Sequence, residues 1–264
     1  MFIDSHCHLS FPELSERLPD VLAAMRAAQV DQALCICTTL EESSQVLLLA
    51  HRHEPLWASV GVHPDNEGVQ EPSVEDLLRL AEQPKVVAIG ETGLDYYRLN
   101  GRSVADMAWQ RDRFRVHIQA AKTCNKPLVI HTRSSADDTL GILREEGAEA
   151  AGGVFHCFTE ELSVARAAVD MGFYISFSGI LTFRNAVDLC EVARRLPRDR
   201  VLIETDSPYL APVPYRGKVN QPGYVPHVAS KLADLWGISL EKVAEITTAN
   251  TRRLFRLPTP VTPC

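Results

Sequence analysis

The feature that most constrains this chain is an alternation running from end to end, in which short apolar runs of strand length are separated by amphipathic stretches of helix length. Runs near 1–6, 32–38, 56–62, 85–90, 127–131, 152–157, 173–178 and 200–205 read as strands. Segments near 14–29, 42–53, 73–82, 103–124, 136–146, 161–171, 186–196 and 225–236 read as helices. Val86-Val-Ala-Ile89 is apolar throughout, as a parallel strand covered on both faces must be; a half-exposed antiparallel strand would alternate.

Eight strand–helix units in 264 residues match a closed (β/α)8 TIM barrel. A doubly wound open sheet is the competing arrangement. It would ordinarily place a glycine-rich phosphate turn after the first strand, where this chain has His6-Cys-His8. No internal repeat or low-complexity segment divides the chain, so 1–264 reads as one domain. The proline-rich stretch 208–226 reads as an ordered loop and 257–264 as a loose tail.

Hydrophobic residues make up 45% of the chain, but the longest apolar runs are strand-sized and too short to span a bilayer. The N-terminus has no basic region followed by an apolar core and a cleavage site, which points to the cytoplasm. The seven cysteines (7, 35, 37, 124, 157, 190 and 264) lack the spacing of a disulfide framework and read as reduced thiols. A net charge of −7 opposes non-specific adhesion to polyanions without excluding a locally basic site.

The polar residues at the strand ends carry the chemistry. His6 and His8 close the first strand, His63 the third, Glu91 the fourth, His131 the fifth, His156 the sixth and Asp206 the eighth. Residues i and i+2 of a strand project from one face, so His6 and His8 can reach a single ion. A lone histidine closing an apolar strand is ordinarily a hydrogen-bonded core residue. A barrel, however, gathers its C-terminal strand ends on one face, and this many ligand-type side chains at equivalent positions favour a metal site. Imidazole and carboxylate suit two divalent ions: zinc, manganese or, with more water in the shell, magnesium. His6, His8, Glu91 and Asp206 are assigned to one ion and Glu91, His131 and His156 to the other, with Glu91 as the anionic bridge.

The segments Asp4-Ser-His-Cys-His8, Gly61-Val-His-Pro64, Gly90-Glu-Thr-Gly-Leu-Asp-Tyr96, Val129-Ile-His-Thr-Arg133, His156-Cys-Phe-Thr159 and Glu204-Thr-Asp-Ser-Pro-Tyr-Leu210 resemble the TatD family of metal-dependent hydrolases. The resemblance runs from Met1 to about Phe255, and every ligand position of the family is matched. It implies an amidohydrolase-like metal barrel and, from the family's magnesium-dependent deoxyribonucleases, cleavage of DNA from single strands or 3′ ends. Within it Asp206 is the general base, with a purely ligating role as the alternative. His63 either contacts substrate phosphate or holds a loop beside Pro64.

Arg98, Arg102, Arg133, Arg184, Arg216 and Lys218 follow the strand ends and favour an anionic substrate. Arg133 and Arg184 are the preferred phosphate contacts, because a guanidinium fork matches phosphate oxygens. Tyr96, Phe158, Phe183, Tyr209 and Tyr215 lie in the same loops, where they either stack on bases or pack the loops. The same metal pair could instead hydrolyse an amide, a misacylated tRNA or a small phosphate ester, and a non-catalytic metal-bound scaffold is the alternative outside enzymes. No obligate protein partner is implied.

Overall fold

Eight parallel strands, ordered β1 to β8 in sequence, form the centre of the computed structural model, which describes residues 1–258. They are β1 Phe2–Cys7, β2 Val30–Cys35, β3 Leu56–Val60, β4 Val86–Asp95, β5 Leu128–Arg133, β6 Gly153–Phe155, β7 Tyr174–Phe177 and β8 Val201–Ile203. A parallel bridge between Cys7 and Ser207 brings the last strand to the first. The His8 N–H donates to the Ser207 carbonyl at 2.8 Å and the Asp206 N–H to the His6 carbonyl at 2.9 Å. The sheet is therefore a barrel.

Among the described residues ten α-helices follow or flank these strands: α1 Pro12–Ser15, α2 Leu18–Ala27, α3 Ser43–Arg52, α4 Val74–Ala81, α5 Ala108–Cys124, α6 Ala136–Glu145, α7 Leu162–Asp170, α8 Val187–Arg195, α9 Val225–Trp236 and α10 Leu240–Phe255. The start of α4 shows how they are set. The Ser73 side chain accepts from the Asp76 N–H while the Asp76 carboxylate accepts from the Ser73 N–H, satisfying two donors that a helix start leaves open.

Two apolar clusters hold the layers together. The larger lies between helices and sheet. The smaller contains Ile3, Leu34, Ala88, Val129, Val154, Tyr174 and Leu202 with Trp57 against them, one residue from every strand, which only a barrel interior can assemble. Further up, the hydroxyls of Ser5 on β1 and Ser176 on β7 meet at 3.2 Å, a contact between strands that are not neighbours.

Four sequence expectations are corrected. The helix expected over 14–29 is broken into α1 and α2. β4 continues to Asp95 and β5 to Arg133, so Glu91 and His131 lie within their strands rather than at their ends. Helix α10 has no counterpart in the sequence reading, because Thr247, Thr248, Asn250 and Thr251 occupy much of its buried face and obscure the apolar period. Asn250 is satisfied there by the carbonyls of Arg198 and Val201, at 2.8 and 2.9 Å. Finally, Leu257 is no loose tail: it is buried against the interior cluster beside Phe255, a burial contributing about 1.5–3 kcal/mol. Residues 259–264, including Cys264, lie outside the described residues. The other six cysteines are free thiols. Among the described residues no helix is long and apolar enough to cross a membrane.

Candidate metal centre

Glu91 is the middle of the site, and glycine puts it there. Gly90 and Gly93 flank it with φ of +145° and +129°. A Cβ at Gly93 would stand 2.0 Å from the His131 carbonyl oxygen, and one at Gly90 2.6 Å from that of Val129. Only glycine lets β4 lie this close to β5, bringing the carboxylate of Glu91 to the His131 ring.

The two oxygens of Glu91 face different partners. Oε2 lies 3.4 Å from His6 Nε2 and 3.8 Å from His8 Nε2. Asp206 Oδ1 lies 3.5 and 3.4 Å from the same two nitrogens, which are 3.2 Å from each other. Oε1 lies 2.7 Å from His156 Nε2, 3.1 Å from His131 Nδ1 and 3.3 Å from His63 Nε2. Donors held at about 2.1 Å by one divalent ion stand about 3.0–3.4 Å apart, so these spacings suit metal ligation. The fit has a second sign: Glu91 Oε2 is buried with no hydrogen-bond partner, as are Nδ1 of His6 and of His8. A buried carboxylate oxygen aimed at two imidazoles is costly until a cation satisfies it.

Behind the Oε1 side stand two more carboxylates. His131 Nε2 is 3.0 Å from Asp95 Oδ2, and His156 Nδ1 is 3.4 Å from Glu204 Oε1, which also accepts the Cys157 N–H. On the other side Asp4 braces backbone instead, accepting from the N–H groups of His6 and Thr205 and from the Thr205 hydroxyl. Burial pushes the Asp4 carboxyl up to about 8, outweighing those hydrogen bonds. Asp206 sits at φ +55°, a left-handed conformation costing a non-glycine residue roughly 1–2 kcal/mol, and is tied there by its bond to the His6 carbonyl.

Electrostatics follow from this packing. Burial alone would raise Glu91, but the field of His156, His63 and His6 and the bond with His131 hold it well below the ordinary carboxylate value. Burial likewise opposes the charge of Asp206, and its bond with His8 and the field of His6 and His156 keep it low. Burial disfavours the His156 cation, yet Glu91 and Glu204 draw its pKa well up. The carboxylates are thus ionised and ready to ligate.

A cleft of about 510 Å³ opens over the cluster, and His8, His63, Glu91, His131, His156 and Asp206 all reach its lining. Phe11 stacks on His8 with 4.7 Å between ring centroids, and Tyr209 stands edge-on to Phe11. Arg133 also lines the cleft, its guanidinium 3.7 Å from the centre of the Tyr97 ring.

The structure gathers His6, His8, His63, Glu91, His131, His156, Asp206 and Arg133 but does not bring Arg184 to the cleft: that side chain is exposed and outside the lining. The short 3-10 helix Gly179–Thr182 turns the chain before Arg184, and it is Arg216 that lies over Phe183, at 3.6 Å. Arg102 is paired with Glu67 at 2.8 Å. Phe158 is buried, the Tyr96 hydroxyl donates to Asp138, and Tyr215 stacks on Tyr224, so these aromatics pack loops. Sequence reasoning gave no role to Asp4, Asp95, Glu204 or Phe11. The first three lay inside the quoted motifs, where a carboxylate two or more residues from a ligand was the available signal.

The comparisons with known proteins agree with this geometry. The family model described as TatD related DNase matches residues 3–256. The metal-dependent hydrolase YcfH of Escherichia coli is 48% identical over 259 residues, covering 97% of this chain and 96% of that protein. The 3′-5′ ssDNA/RNA exonuclease TatD of Salmonella typhimurium is 34% identical, with 96% and 98% covered. The crystal structure of YJJV, a TatD homologue from Escherichia coli, superposes with a TM-score of 0.90 at 30% identity, covering 97% of this chain and 98% of that one. Barrel, carboxylate-centred histidine cluster and full-length similarity together make this chain a metal-dependent hydrolase of the TatD family.

Proposed function

We propose that the protein is a cytoplasmic deoxyribonuclease that removes nucleotides from the 3′ ends of single-stranded DNA, using two divalent ions at the Glu91 cluster. The observation that carries this reading is the division of the cluster at Glu91, directly beneath an open cleft whose rim offers the guanidinium of Arg133. The relative named as an ssDNA/RNA exonuclease supports the substrate class.

His6, His8, Glu91 and Asp206 would hold one ion, and Glu91, His131 and His156 the other. When bound, such ions lower the pKa of water and polarise a phosphoryl oxygen. The remaining work falls to the chain. Asp206, ionised and partly open to the cleft, accepts a proton from the attacking water. Arg133, its guanidinium over the Tyr97 ring, offers its N–H donors to phosphate oxygens. His63 contacts the substrate. Phe11 and Tyr209 form an apolar wall on the opposite side, where a terminal base can stack.

The test is metal-stripped protein resupplied with magnesium, manganese or zinc on single-stranded DNA labelled at either end. The expected result is stepwise shortening from the 3′ end. Hydrolysis of small phosphate esters or aminoacyl esters without DNA cleavage would overturn the nuclease reading, and metal binding without turnover of any substrate would leave a scaffold.

A further inference from the structure

We infer that His63 is a fixed N–H donor to the substrate and not a ligand of either metal ion. The inference rests on the hydrolase reading of the cluster and concerns the one histidine there whose hydrogen bonding runs opposite to its neighbours'.

Three imidazoles converge on Glu91 Oε1, and their outward nitrogens decide what the inward ones can do. His131 faces Oε1 with Nδ1 while its Nε2 meets the Asp95 carboxylate at 3.0 Å. His156 faces it with Nε2 while its Nδ1 meets the Glu204 carboxylate at 3.4 Å. The carboxylate behind each ring can keep a proton on the outward nitrogen, so the inward lone pair becomes available once a cation takes over the contact with Glu91 Oε1. His63 is reversed. Its outward Nδ1 accepts a hydrogen bond from the Asp65 backbone N–H at 3.0 Å. An amide N–H can only donate, so Nδ1 presents its lone pair there and the single proton of the neutral ring lies on Nε2. That inward nitrogen, 3.3 Å from Glu91 Oε1, has no lone pair for a metal. Spacing alone would group His63 with Glu91 and His131 as a ligand set; the tautomer separates it.

The backbone around the ring is held from two directions. The buried Arg113 of α5 donates through Nη1 to the carbonyls of His63 and Asn66, at 2.7 and 2.8 Å, while its other N–H groups grip Glu71. One turn on, the buried His117 accepts the Val62 N–H on Nε2 at 3.0 Å and donates from Nδ1 to the Arg113 carbonyl at 2.8 Å. Both residues before and at the ring are thereby fixed by one helix, and Arg113 and His117 are positioning residues for it. His63 lines the cleft and its side chain is 19% exposed, so its Nε2–H is within reach of a bound substrate. A donor prearranged at an oxygen that gains negative charge stabilises the transition state more than the bound substrate. No proton is transferred.

The experiment compares His63→Ala, His63→Gln and His131→Ala with the wild type for metal content per chain and for turnover of bis(p-nitrophenyl) phosphate, a plain diester that makes no demand for DNA. His63→Ala should keep the wild-type metal content while kcat falls on the order of 100-fold. His63→Gln, which offers an amide N–H near the position of Nε2, should recover at least about tenfold of that loss. His131→Ala should lose metal. Metal loss in His63→Ala, unchanged kcat in it, or a glutamine variant no better than alanine would each overturn the inference. A wild type that hydrolyses the diester but leaves DNA intact would sink the nuclease reading and leave this comparison standing.

Discussion

The two sides of Glu91 are built differently. On the Oε1 side the rings of His131 and His156 are each backed by a carboxylate, Asp95 or Glu204. On the Oε2 side Nδ1 of both His6 and His8 is buried without a partner, and Asp4 secures the His6 backbone rather than a ring. A ligand whose far nitrogen is anchored has its tautomer and direction set before the ion arrives, and its basicity is raised. The Oε1 side is therefore the preorganised half and should bind its ion more tightly. The Oε2 side, which includes Asp206 beside the cleft, is the half with no such bracing of its rings.

The largest effect is expected where the halves meet. Glu91→Gln should remove metal from both sides and cost several kcal/mol of transition-state stabilisation, on the order of 10³-fold in turnover, with the barrel still folded. Unchanged metal content with normal turnover would sink the bridging role. Next comes Asp206→Asn, which keeps one ligating oxygen but cannot take the proton. Turnover should drop on the order of 100-fold while metal content falls far less. Equal loss of both would make Asp206 a ligand only.

The Oε1 side also depends on a buried neutral histidine. Burial outweighs the bond to the Arg113 carbonyl and lowers His117 from its ordinary 6.5 to about 4. Between those values the unfolded chain binds a proton that the folded chain refuses, so stability rises with pH across this window. The contribution, about 3 kcal/mol, is complete above pH 6.5 and lost as pH falls to about 4. Urea unfolding of metal-stripped protein should show that loss, and His117→Gln should flatten it; identical pH profiles would refute the assignment.

The smallest effect concerns the rim. An acidic protein gripping a strand end through few arginines should neutralise about two to four phosphates, giving a log affinity against log salt slope of roughly −1.4 to −2.8. Arg133→Ala in a metal-loaded, inactive variant should lower that slope by about 0.7. A much steeper slope would indicate an extended groove.

How much of this was legible beforehand depends on what kind of signal each part leaves. The barrel was, because eight apolar runs such as Val86–Ile89 must be covered on both faces. The gathering of the histidines with Glu91 and Asp206 was, because the C-terminal parts of barrel strands converge on one face. Helix α10 was not: Thr247 and Thr251 satisfy their hydroxyls on carbonyls one turn back in the helix, and Thr248 and Asn250 on the distant carbonyls of Met1, Arg198 and Val201, so polar side chains fill the buried face and no apolar period reveals it. Nor was the place of His63, since the Asp65 N–H that sets its tautomer is a backbone group common to almost every residue. Arg184 was misplaced for a related reason: position after a strand does not fix where a loop turns.

The most direct test of unequal halves is equilibrium titration of metal-stripped protein with manganese, for the wild type and for Asp95→Asn. The account predicts two ions per wild-type chain taken up in two steps, and a 10–100-fold weakening, on the order seen when a ligand loses its supporting carboxylate, confined to the tighter step. A single ion per chain, two steps of equal affinity, or weakening of the looser step alone would contradict it.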